Sequence, residues 1–190
     1  IYKYLSVLIL HGQNKDALAK TQKGNWKYDI ITAGYKCNMP DMLAAIGLIE
    51  LERYDNDTLV RRKHIFEKYS ETFSKQSWAE LPVQSEVKTG SFHLYPLRIK
   101  GISEDQRDKI ITEIFNKDVS VNVHFMPLPM FSFYKNAGYK ISDYPVAYDN
   151  YSREISLPVF YDLTDEQIEI VIEAVVSSVE KILSEEKVSL

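Results

Sequence analysis

GYKCNMPDMLAAIGLIELER, Gly34 to Arg53, is the stretch on which the reading of the fold turns. It opens with a glycine and a polar tip, Lys36, Cys37 and Asn38, and Pro40 with Asp41 then start a helix. Proline suits a first turn because its missing N–H would have no partner there. Asp41 places negative charge at the positive end of the helix dipole. Met42, Ala45, Ile46 and Ile49 recur at i, i+3, i+4 and i+7, and Leu43, Leu48 and Leu51 fill the flanks. The pattern predicts a helix from Asp41 to Arg53 that is buried on most sides. Ala44, Ala45 and Gly47 leave room for a close neighbour. One reading is a polar loop held rigidly by a buried helix, an arrangement that positions binding groups. The other is a helix start and nothing more.

Upstream, Tyr2 to Leu10 is apolar with weak periodicity and fits strand or helix. His11 and Gly12 suit the end of a helix, with a cation-capable residue near the negative dipole end and a glycine cap. Gln13 to Ile31 reads as a polar connection with a short aromatic piece, Trp26 to Ile31.

Downstream, Asp55, Asn56 and Asp57 offer capping groups to a helix from about Thr58 to Ser74. Ile65, Phe66, Tyr69 and Phe73 share one of its faces. Arg61, Arg62 and Lys63 lie near its start, the wrong end for cations, so the cluster is expected to be solvated or paired. Trp78 to Thr89 reads as a loop with a short strand, and Phe92 to Ile99 as a strand, where Pro96 points to an edge or a bulge. Its alternation sets His93, Tyr95, Leu97 and Ile99 on one face. Ser103 with Gln106 is a capping box opening a helix to about Asn116, with Ile110, Ile111, Ile114 and Phe115 buried. Val119 to Phe125 alternates apolar and polar residues and is expected to be the clearest strand. It runs into Met126-Pro127-Leu128-Pro129, and Phe131 to Tyr139 reads as an aromatic loop. Pro145 starts a helix to about Arg153, and Ile155 to Leu157 is a short strand. Thr164 and Gln167 form a second capping box, with Leu163 and Ile168 as its hydrophobic staple. The last helix carries Ile168, Val171, Ile172, Val175, Val179 and Ile182 on one face, with a frayed polar tail after Leu183.

Helices interleaved with a few strands far apart in sequence favour an α+β layer, helices packed on a small, mainly antiparallel sheet. The 190 residues, 45% hydrophobic and 26% charged, can bury a real core. A net charge of −4 implies no basic face, which disfavours nucleic acid as a partner. The single cysteine, Cys37, excludes an internal disulfide framework and fits a reducing compartment. The four histidines and one cysteine show no metal-ligand spacing. No apolar run is long enough to span a membrane, and Ile1 to Leu10 lacks a signal-peptide cleavage site. The chain does not begin with Met, which fits a fragment or a processed product.

Gly34-Tyr35-Lys36-Cys37-Asn38-Met39-Pro40-Asp41, followed by an Ala-rich helix ending Leu51-Glu52-Arg53, resembles the sugar-nucleotide aminotransferases of the DegT/DnrJ/StrS type. The likeness extends to His11-Gly12, to the His93-Leu94-Tyr95 strand, to His124-Phe125-Met126-Pro127-Leu128 and to Ser156-Leu157-Pro158-Val159-Phe160. These enzymes are fold-type-I proteins that use pyridoxal 5'-phosphate (PLP), and the resemblance covers the C-terminal part of a complete member. It implies that residues 1–53 are a junction segment and buried helix continuing from a large PLP domain, and that residues 54–190 are the C-terminal small α+β domain. It also implies a cytoplasmic homodimer that moves an amino group from an amino-acid donor to a keto-sugar nucleotide, feeding polysaccharide or glycoconjugate synthesis.

A transaminase needs a lysine to hold its cofactor as a Schiff base. In the family that lysine lies upstream of the His-Gly and is followed by a Thr-Gly-Glu-Gly-Gly run, which this sequence lacks. Lys36 is not at the matching place. The resemblance therefore gives this chain no catalytic residue, and the chain alone is expected to be inactive. It implies that Asn38 reaches the cofactor phosphate of a neighbouring subunit, an amide being able to donate to phosphate. Capping the next helix is the alternative for Asn38. Tyr35 lines the same pocket or simply packs. His124 meets a sugar or its nucleotide phosphates, or is a satisfied interface histidine. Arg153 is within the scope of a nucleotide phosphate, although a surface role suits it better. A competing class is a non-catalytic binding or dimerisation module that has kept the fold.

Overall fold

Among the described residues, two helices, α1 (Tyr2–Leu8) and α2 (Asp41–Arg53), make up the first of two units, Ile1–Arg53 and Tyr54–Leu190. The computed structural model describes residues 1–12, 30–37, 39–85, 87–88 and 90–188. Most of the expected polar connection, residues 13–29, and Asn38 lie outside them.

Helix α1 resolves the ambiguity of its apolar run. The carbonyls at its C-terminal end find donors within the Gly34 motif: Tyr35 N–H donates to Leu8 O (2.7 Å) and Cys37 N–H to Ile9 O (3.3 Å). Gly12 N–H closes the helix end on Val7 O at 2.9 Å, with His11 and Gly12 both at positive φ, 59° and 74°. Gly12 and Gly34 lie backbone against backbone. A Cβ on Gly34 would fall 2.2 Å from Gly12 N, and one on Gly12 1.8 Å from Thr32 O.

Helix α2 has the expected bounds but not the expected burial. None of its residues is buried, and Met42, Ile46, Leu48 and Ile49 are 61–81% exposed. An apolar surround becomes buried only where something covers it, and the described part of the first unit offers one short helix and a loop.

The second unit opens on a π-helical turn, Tyr54–Thr58, and α3 (Leu59–Phe73) follows. The three acidic and amide side chains expected to cap α3 lie within that turn, and Thr58 caps it without a side-chain bond. Ile65, Phe66, Tyr69 and Phe73 are its buried face, as the spacing predicts. Of the basic cluster at its start, Arg61 pairs with Asp165 Oδ1 at 2.7 Å and donates to Leu163 O, and Lys63 lies 3.6 Å from Glu67.

Three antiparallel strands form the sheet in the order β1 (Ala79–Glu80), β2 (Tyr95–Ile99), β3 (Glu154–Leu157). Pro96 sits in the middle strand yet behaves as an edge residue. β1 pairs only with Arg98 and Ile99, so Pro96 has a ladder neighbour, Ser156, on one side alone. His93 lies before β2 and is exposed, not on its buried face.

The remaining helices are α4 (Glu104–Phe115), α5 (Ser132–Asn136), α6 (Pro145–Arg153) and α7 (Asp165–Val188). Helix α4 opens on the complete Ser103–Gln106 capping box, and Ile110 and Ile114 are buried while Phe115 is 49% exposed. Thr164 and Gln167 exchange the same pair of bonds at 2.9 and 3.2 Å before α7. Helix α7 runs on through the stretch expected to fray. Its six periodic residues all join one core with Tyr95, Leu97, Ile99, Ile155 and Leu157, so α3, α4 and α7 cover one face of the sheet. Burying each such aliphatic side chain stabilises by about 1.5–3 kcal/mol. Phe66, Tyr69 and Tyr95 meet edge to face at 4.6 and 5.2 Å, geometry that adds to area burial alone. No described helix is long and apolar enough to cross a membrane.

Val119 to Phe125 is not a strand. Val119 and Val121 are buried as the alternation predicts, but only Asn122 makes a ladder pair, with Ser156 (N–H donors at 3.2 and 2.7 Å). Beyond it, side chains take the backbone donors: Val123 N–H goes to Asn122 Oδ1 at 2.8 Å and His124 N–H to Glu154 Oε2 at 3.0 Å. Local side-chain acceptors have displaced the ladder. Phe131 to Tyr139, expected to be a loop, contains α5.

Candidate functional site

The face of the sheet opposite the helical core carries the polar residues. Cross-strand partners point the same way, so Arg98 with Glu154 and Pro96 with Ser156 share that face, while Leu97 and Ile155 turn to the core. A cleft of about 500 Å³ opens there. Pro96, Arg98 and Glu154 form its sheet side, Ala147, Asn150 and Tyr151 of α6 one wall, and Pro82, Val83, His124, Phe125 and Pro127 the rest.

His124 reaches the cleft because the single rung at Asn122 fixes the chain beside β3. Its Nδ1 lies 2.8 Å from Ser156 Oγ. Ser156 donates its hydroxyl to Glu154 Oε1, and Glu154 Oε2 accepts the His124 backbone N–H. Glu154 is 5% exposed, and burial pushes its carboxyl above the usual range, opposed by the bonds from Ser156 and His124 and by the Arg107 charge. Behind it, Arg107 is 2% exposed and donates to the carbonyls of Tyr151 (2.7 Å) and Glu154 (3.2 Å). It also bonds Asp108 at 2.7 Å and lies 4.8 Å from the centre of the Tyr151 ring. Arg98, the cation in the cleft lining, is held by Glu80 at 2.7 Å and by Asn150. Arg153 is likewise committed, to Glu80 (2.9 Å) and Asp149 (2.6 Å), which argues against a phosphate role.

Of the residues singled out from the sequence, His124 lines this cleft. Tyr35 belongs to the other unit. Its backbone pairs with Leu8 and His11, and its side chain is exposed at 72% for the residue. Asn38 lies outside the described residues. Sequence reasoning missed Glu154, Ser156 and Arg107. The alternation Glu154-Ile155-Ser156-Leu157 was the available signal for the first two, since it sets a carboxylate and a hydroxyl on one strand face.

The cleft lining contains no lysine, and Lys36 is exposed. The described residues therefore do not, by themselves, fit PLP, which needs an aldimine lysine in its pocket. Among them, no group of three or more His, Cys, Asp and Glu could hold a metal ion.

Residues 1–176 match the DegT/DnrJ/EryC1/StrS aminotransferase family. The chain is 33% identical over 177 residues to the spore coat polysaccharide biosynthesis protein SpsC of Bacillus subtilis, covering 90% of this chain and 45% of that one. It is 26% identical over 161 residues to the UDP-4-amino-4,6-dideoxy-N-acetyl-beta-L-altrosamine transaminase of Campylobacter jejuni, covering 85% and 42%. Among solved structures it resembles Spr1654 from Streptococcus pneumoniae, an assigned sugar aminotransferase. With the PMP-form the TM-score is 0.84 at 42% identity, over 93% of this chain and 44% of that one. The PLP-form of the same protein gives a TM-score of 0.82. The chain spans about half the length of the curated relatives it matches.

Proposed function

The chain belongs to the DegT/DnrJ/EryC1/StrS aminotransferase family, and on that premise we propose that it is the C-terminal part of a PLP-dependent aminotransferase acting on a keto-sugar nucleotide in polysaccharide or glycoconjugate biosynthesis. The family match over residues 1–176 carries this reading. The names of the Bacillus and Campylobacter relatives support the pathway and the nucleotide-sugar class. In the whole enzyme, a cytoplasmic homodimer with an amino-acid donor, PLP supplies the electron sink for amino-group transfer. Asn38 donates its amide to the cofactor phosphate of the neighbouring subunit, Tyr35 lines the same pocket, and His124 contacts the sugar.

This chain alone carries no Schiff-base lysine and is inactive. The test is to incubate it with pyridoxal phosphate, reduce with borohydride and map labelled lysines by mass spectrometry. Scattered substoichiometric labelling is expected; a stoichiometric label at one lysine overturns the assignment. The bare apolar surround of α2 favours one second reading, a dimerisation module without chemistry.

A further inference from the structure

We propose that Ser156 and Glu154 are positioning residues that hold His124 as its Nδ1–H tautomer, so that Nε2 meets the cleft's ligand as a bare acceptor. The direction of the chain of bonds is set at its buried end. Glu154 already accepts the His124 backbone N–H through Oε2 and faces Ser156 through Oε1. An ionised carboxylate can only accept, so Ser156 must give it its one hydroxyl proton. Ser156 Oγ then offers His124 Nδ1 nothing but lone pairs across 2.8 Å. Nδ1 therefore carries the ring proton, and in a neutral imidazole the other nitrogen is bare.

Ser156 and Glu154 are 4% and 5% exposed, which keeps water from competing for these bonds. The nearby cations do not disturb the order: Arg107 donates to the Glu154 carbonyl, and Arg98 is held by Glu80 and Asn150. His124 Nε2 has no hydrogen-bond partner among the described residues. A group facing it must donate. That selects a hydroxyl or N–H, as on a sugar ring, and rejects a phosphate oxygen. The ligand's identity rests on the function proposed above; the tautomer rests on this chain's geometry alone and survives a failed lysine-labelling result.

The experiment is a long-range 15N correlation of the histidine rings in the 190-residue chain, at about pH 8, far above the ordinary carboxylate range so as to outrun the upward push of burial on Glu154. His124→Gln identifies the signal. The expected result is a protonated Nδ1 and a bare Nε2. In Glu154→Gln the side-chain oxygen keeps the backbone bond, so its amide nitrogen must donate to Ser156, which then donates to Nδ1. The two ring nitrogens exchange their signatures. Ser156→Ala instead releases the ring to tautomeric averaging. A protonated Nε2 in the wild type overturns the proposal even if neither variant folds. So does a folded Glu154→Gln protein whose ring signals do not move.

Discussion

Arg107 is the side chain on which the site's rear wall depends. It is as buried as the aliphatic core, yet its guanidinium holds the carbonyls of Tyr151 and Glu154 together, tying the end of α6 to the start of β3. Replacing it with an apolar residue of similar length removes the side-chain donor from both carbonyls, leaving Tyr151 O the Glu154 backbone N–H, a loss larger than that of an exposed ion pair. Arg107→Met should lower the unfolding free energy by about 2 kcal/mol, seen as a lower urea midpoint at unchanged slope. This role was not legible in the sequence. Arg107 reads there as one more charged residue in the first turns of a helix, and its partners lie 44 and 47 residues away. His124 was legible because a polar face on an alternating run is a local pattern. Glu154 and Ser156, which orient it, matter only through a pairing that no local pattern announces.

At the scale of elements, capping and periodicity carried the reading. Helices α2, α6 and α7 begin where Pro40-Asp41, Pro145 and the Thr164–Gln167 box place them. The failures share a cause. Val119 to Phe125 has strand alternation, but a strand also needs a partner with free ladder groups, and here Asn122 and Glu154 side chains supply the acceptors instead. Helix α2 has a core helix's composition without a cover. The contact of Gly12 with Gly34 sets a sharper test. Neither backbone can retreat from a new Cβ, because His11, Tyr35 and Cys37 pin the two segments together. Gly34→Ala should strip hydrogen-exchange protection from the amides of Tyr35 and Cys37 and leave those of α7 unchanged. Protection retained at Tyr35 would show that the new Cβ is accommodated without parting the segments.

For the whole molecule, the large apolar residues of α2 form the principal liability. Met42, Leu43, Ile46, Leu48, Ile49 and Leu51 are all exposed on one helix, an arrangement that invites association. The isolated chain should sediment as a concentration-dependent mixture of species, and Ile46→Glu with Ile49→Lys should shift it toward monomer. A single monomeric species at high concentration would speak against the dimerisation role. The second unit has a core built from its own residues. It also holds one indole, Trp78, which is 9% exposed, tilted against Phe73 at 54° and without a bond to its ring nitrogen. The chain's other tryptophan is Trp26. A Trp26→Phe protein would carry its sole indole inside the Tyr54–Leu190 unit, so the red shift of fluorescence excited selectively at tryptophan would time the melting of that unit alone.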